Sequence, residues 1–106
     1  MRKKDVKGII HDLLRYLEWR NPLHNLKFPG KIKVNLLSKE VIGIGEDSLW
    51  KMYHEKIEWF HWRLNQLNAN LEDFTKARIT ISGTTEKVEI IYKGENFTDK
   101  ISFQPY

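Results

Sequence analysis

Between residues 50 and 71 seven apolar side chains, Trp50, Tyr53, Ile57, Phe60, Leu64, Leu67 and Leu71, recur with gaps alternating between three and four. At 100° per residue, seven such positions gather within an arc of roughly 100°, one continuous stripe along an α-helix. From residue 77 onward the period is two. Ala77, Ile79 and Ile81 alternate with Arg78, Thr80 and Ser82, Val88, Ile90 and Tyr92 repeat the pattern, and FTDKISF adds Phe97, Ile101 and Phe103. A period of two sends successive side chains to opposite faces of a strand. Only Gly83-Thr84-Thr85 and Gly94-Glu95-Asn96 separate these runs. Loops that short join neighbouring antiparallel strands, so the second half of the chain must be a helix followed by a three-stranded meander.

The first half carries the same two periods. Val6, Ile9, Ile10, Leu13, Leu14 and Leu17 predict a helix from about Lys3 to Trp19, ended by Asn21-Pro22, because proline disfavours a helical conformation in the residue before it. NPLHNLKFPG then reads as an ordered loop with Leu23, Leu26 and Phe28 tucked beneath it and a turn at Pro29-Gly30. In KIKVNLL, Ile32, Val34 and Leu36 alternate with Lys31, Lys33 and Asn35, the signature of a half-buried strand. Ser38-Lys39-Glu40 turns it into a short second strand, VIGI at 41–44, where Gly43 and Gly45 weaken the pairing and favour a bulge. Asp47 or Ser48 caps the long helix, Glu46 and Asp47 suit its positive end, and NQLNAN ends it, with LEDF as a last turn. The order α–β(β)–α–β–β–β implies an α+β sandwich, a single domain over 1–106 with two helices packed on one face of an antiparallel sheet.

Composition narrows the function. The 106 residues contain no cysteine, which removes thiol nucleophiles, disulfides and Cys-based zinc sites and suits the cytoplasm. No apolar run approaches the roughly 20 residues that span a bilayer, and Asp5, His11, Asp12, Arg15 and Glu18 interrupt what would be the apolar core of a signal peptide. No membrane association is therefore expected. The net charge of +4 is unevenly spread: residues 1–40 carry ten Lys/Arg against four Asp/Glu, and residues 41–106 carry eight against ten. Such asymmetry suggests an acidic partner near the N-terminal third, either nucleic acid or an acidic protein surface. It equally describes a lysine-rich domain with a solvated face.

Conventional catalysis finds little support. His54, Glu58 and His61 share one strip of the long helix, donor types that a metal accepts, but H-x3-E-x2-H matches no familiar zinc motif and lacks a fourth ligand. The simpler expectation is that both histidines border the apolar stripe and hydrogen-bond there, so no metal is assigned. GIGE at 43–46 lacks the length and lysine of a phosphate-binding loop, and no G-x-S-x-G elbow exists. His11 or His24 with a lysine is the barest requirement for a metal-free ribonuclease, and nothing in their spacing singles them out. The expectation is a protein with neither catalytic residues nor cofactor.

Two surfaces stand out as binding sites. Within IEWFHWRL, Phe60 belongs to the apolar stripe, whereas Trp59 and Trp62 project roughly 130° and 170° from its centre. Either the loop at 20–30 or the C-terminal tail folds over both indoles, or they form an exposed patch, with Glu58 and Arg63 as its polar rim; tryptophan is a favoured anchor at protein interfaces. The second surface is basic. RYLEWR at 15–20 leads into Lys27, Phe28, Lys31 and Lys33, an interleaving of cations and rings that would suit a small nucleic-acid-binding regulator. No recognised nucleic-acid-binding motif accompanies it.

The stretches LWKMYHEKIEWFHWRLNQL and FTKARITISGTTEKVEIIYK resemble, in layout, the small immunity proteins of bacterial polymorphic-toxin and contact-dependent growth inhibition systems. There a helix with a Trp/Leu-rich stripe leads into an antiparallel hairpin of alternating apolar residues. GTTEK stands where some of those families carry a turn with glycine and aspartate. The resemblance spans residues 49–93 and implies a cytoplasmic inhibitor that binds one cognate toxin molecule and blocks its active site or access to substrate. It transfers no individual residue.

Overall fold

The computed structural model describes residues 1–15, 28–43 and 47–102, with the backbone alone at 28–30 and 47–49. In chain order the elements are α1 (Lys3–Arg15), β1 (Phe28–Asn35), β2 (Glu40–Ile42), α2 (Asp47–Gln66), a 3₁₀ turn (Leu71–Asp73), β3 (Phe74–Gly83), β4 (Thr85–Tyr92) and β5 (Glu95–Ser102). The strands form one sheet in the order β2-β1-β3-β4-β5, antiparallel at every junction. This is the expected α+β architecture in the expected order.

Register explains the layering. Residues directly opposite on antiparallel strands share a face. Val34↔Ile79 and Ile79↔Val88 therefore stack their side chains on one side of the sheet. That side carries Ile32, Val34, Leu36, Ala77, Ile79, Ile81, Val88 and Ile90, each at most 3% exposed. Both helices cover it. Val6, Ile9, Ile10, Leu13 and Leu14 of α1 join the same buried cluster as Tyr53, Ile57, Phe60 and Leu64 of α2. α1 lies over β4 and β5, beside α2. Three rings knit the end of the core: Phe60 meets Phe74 edge-on at 5.9 Å between centroids, and Phe74 meets Tyr92 at 4.9 Å. Phe74 and Ala77 both point inward although three residues apart, because a bulge between Phe74 and Lys76 resets the alternation.

Several expectations are corrected. Pro29-Gly30 does not end a loop; both residues lie within β1, where the pairing jumps from Phe28↔Gly83 to Lys31↔Ser82 and absorbs them as a bulge. Such an irregularity tolerates a residue without an N–H donor. The last hairpin turns on Lys93 and Gly94, with φ of 49° and 78°, so Glu95 already belongs to β5 opposite Tyr92; two positive-φ residues make the turn that matches strand twist. The second strand stops at Ile42, one residue before Gly43, whose φ is +96°. α2 ends at Gln66 with Asn68 left-handed at φ 53°. Leu71 therefore leaves the helical stripe: it sits in the 3₁₀ turn, 44% exposed, where the Asn70 side chain accepts from the Glu72 amide at 3.1 Å. The expected extension of α1 through Leu17 to Trp19, the loop at 20–27, strand residue Ile44, Gly45, Phe103 and the capping side chains of Asp47 and Ser48 lie outside the described residues. No helix among the described residues is long and apolar enough to cross a membrane.

Candidate functional site

The face that α2 buries differs from the one its spacing suggests. Tyr53, Lys56, Ile57 and Phe60 are all 0% exposed, Met52 is 7% and Leu64 2%. Including Met52 and Lys56 turns the buried arc by roughly 40° relative to the heptad-like stripe, at 100° per residue. Trp50 and Trp59 then fall on opposite margins. Trp50, expected in the core, is 48% exposed. Trp59, expected to face away, is partly buried and packs against the core. Trp62 alone points squarely outward and is 54% exposed.

Lys56 is buried because β4 supplies its counterion. Glu86 shares the inward parity of Val88, Ile90 and Tyr92, and its Oε1 accepts from Lys56 Nζ at 2.7 Å with both residues 0% exposed. The ammonium also lies 5.2 Å from the centroid of the Tyr53 ring. The Tyr53 hydroxyl is buried without a hydrogen-bond partner. Burial, and then the Glu86 charge, push its pKa well above the ordinary tyrosine value, since both disfavour a second anion there. This cluster is sealed from solvent and ties the middle of α2 to β4. The parity of Glu86 was its one sequence signal; Lys56 gave none, since it sits next to the predicted stripe but outside it.

The outer face of α2 is an open groove of about 500 Å³ lined by Trp50, Lys51, His54, Glu55, Glu58, Trp59 and Trp62. His54 stacks on Trp50 with centroids 3.8 Å apart, one helical turn away as i,i+4 neighbours must be. A second depression, lined in part by Glu58, Trp62 and Leu71, continues the track past the helix end. Three of the four exposed large apolar side chains among the described residues, Trp50, Trp62 and Leu71, thus border one surface. Glu58 lines the groove beside the indoles and lies 4.0 Å from Lys39 Nζ. Arg63 does not line it: its guanidinium donates to Gln66 Oε1 at 3.2 Å. Glu55 and Lys51, not singled out from sequence, complete the rim.

His54, Glu58 and His61 do not converge. His54 goes to Trp50, Glu58 to Lys39, and the His61 ring donates from Nε2 to the Leu36 carbonyl at 2.7 Å, which pins α2 to the end of β1. No group of three or more metal-type donors assembles among the described residues. His11 lies on the exposed side of α1, 3.4 Å from Asp12, and His24 lies outside the described residues. Lys31 and Lys33 are exposed on the sheet face opposite the helices, so they form no part of the α2 groove; Lys27 lies outside the described residues. Comparison of the chain with protein-family models, with curated proteins and with solved structures finds no match.

Proposed function

We propose that this chain is a non-catalytic protein-binding inhibitor whose partner docks on the tryptophan groove of α2. The observation that carries this is the placement of Trp50, Trp59 and Trp62 around one open groove, with Trp50 and Trp62 about half exposed. Indoles left half exposed forgo part of the hydrophobic gain that burying so large a side chain brings. Rimmed by Lys51, Glu55 and Glu58, they have the composition of an interface centre: apolar anchors within a polar border.

The resemblance to immunity proteins gives the partner its identity in this proposal: a cognate toxin, bound one to one in the cytoplasm and neutralised by occlusion of its active site. A rigid helix backed by the core suits that task, because the docking surface needs no ordering on binding. The test is co-expression with candidate toxin domains drawn from the genes that neighbour the one for this chain. The expected result is restored growth and a 1:1 complex on gel filtration, both lost in Trp50→Ser/Trp62→Ser. Protection that survives this double change would rule the groove out as the docking surface.

A further inference from the structure

The sheet face turned away from the helices is basic, and its charge is assembled from four strands. Register places Lys31 and Lys33 of β1, Lys76 and Arg78 of β3, Lys87 of β4 and Lys100 of β5 on that side. The carboxylates there are Glu40 and Glu89. Six cations against two carboxylates give a balance of +4 over the described part of this face, equal to the formal charge of the whole chain. The remainder of the molecule is neutral by the same count. The N-terminal excess in the sequence is therefore only part of the pattern: β3, β4 and β5, from the half that is acidic in sum, supply Lys76, Arg78, Lys87 and Lys100.

The arrangement within the face matters as much as the sum. One row runs across the sheet as Ile42, Lys33, Thr80, Lys87 and Lys100, each paired with the next. At about 4.8 Å between strands, Lys33 and Lys100 stand roughly 14 Å apart. The neighbouring row, Lys31, Ser82, Thr85 and Ser102, adds hydroxyl donors. Glu89 gathers Arg78 at 3.1 Å, Lys76 at 3.4 Å and Lys87 at 3.6 Å around one carboxylate. Lys31, Lys33 and Lys100 have no ion-pair partner among the described residues. Lysines and hydroxyls are the groups that contact phosphate oxygens. The face presents no aromatic ring among the described residues, so it offers no platform for stacking bases.

From this we infer that the open sheet face binds a nucleic-acid duplex through its phosphates, without sequence preference. The site is separate from the α2 groove and does not depend on the function proposed for it. Each neutralised phosphate releases counterions, so about four contacts give a salt slope near −3.6, or on the order of 100-fold weaker binding between 50 and 200 mM salt.

The test is fluorescence anisotropy with a labelled mixed-sequence DNA duplex, using the intact chain. Lys33→Gln/Lys100→Gln should weaken binding at least tenfold and reduce the salt slope by about 2, since two phosphate contacts go. Lys4→Gln/Lys7→Gln removes the same charge from the exposed side of α1 and should change affinity less than threefold. Equal losses in the two variants would show attraction by net charge alone and overturn the proposal. Absence of duplex binding with binding to phosphatidylserine vesicles would overturn it as well, by assigning the face to a lipid surface. Trp50→Ser/Trp62→Ser should bind the duplex as the unaltered chain does, which separates this outcome from any failure of the inhibitor function.

Discussion

Tyr53 shows how a single side chain can be informative for what it lacks. Its ring is core, but its hydroxyl is buried with no partner and faces the Glu86 charge. An unsatisfied buried hydroxyl costs about 1–3 kcal/mol. Tyr53→Phe should therefore be neutral or raise stability by about 1 kcal/mol in a urea melt. The raised pKa sets a pH signature with a definite sign. In the unfolded chain tyrosine loses its proton near 10.0, whereas in the folded protein Tyr53 holds it to a higher pH. Its contribution to stability is whole below the unfolded value and is lost progressively as pH rises from there toward the folded value. Unaltered protein should thus melt at lower temperature from pH 9 to 11 more steeply than Tyr53→Phe; parallel curves would count against the buried phenol. Glu89 carries the opposite sign. Partial burial raises its pKa, but the Arg78 hydrogen bond and the Arg78 and Lys76 charges outweigh that and hold it below the usual carboxylate value. Its stabilisation is present above the unfolded carboxylate range and fades as pH falls through the folded value.

The elements themselves were legible wherever one period dominated. The alternation in β1, β3 and β4 names the buried positions correctly because a strand with one solvated face has only two choices of parity. Illegibility began where a polar residue occupied an inward position. Lys56 and Glu86 each look like surface residues, and only their encounter across 30 residues of chain explains both. The helical stripe was consequently centred wrongly, and Trp50 and Trp59 exchanged their expected roles. The pair also yields a prediction for the contact between α2 and β4. Lys56→Met alone strands a buried carboxylate and should cost about 3–5 kcal/mol. Lys56→Met/Glu86→Leu should recover most of that loss, since a well-packed apolar pair of similar volume is often neutral or better. Additive losses in a double-mutant cycle would show that the two do not interact. At the β2 end the controlling feature is a glycine. Gly43 has φ +96° and its missing methyl would press on the Lys31 carbonyl, whereas Gly83 at φ +61° faces open space. Gly43→Ala should therefore cost more than Gly83→Ala, by about 1–3 kcal/mol.

At the scale of the molecule, sheet and helices divide the surface into an apolar-centred groove and a charged plane, with the core between them. Stability and partner binding should therefore respond to different residues. Phe60 and Ile57 are 0% exposed, and changing either to Ala should cost about 2–5 kcal/mol through lost contacts and a residual cavity. Trp50 and Trp62 stand on the same helix, about half exposed. Surface side chains away from the core usually contribute within about 0.5 kcal/mol, so Trp50→Ser/Trp62→Ser should leave the melting temperature within a few degrees. The same double change should weaken binding of the proposed partner by about 2–4 kcal/mol, the range for aromatic anchors at an interface centre. Trp59 divides its effects, because it lines the groove and also packs on the core. Trp59→Ser should lower both stability and affinity. A calorimetric titration beside a thermal melt for each variant separates these patterns. Loss of stability in the double variant with affinity intact would mean that these indoles serve the fold, and would remove the groove as the docking surface.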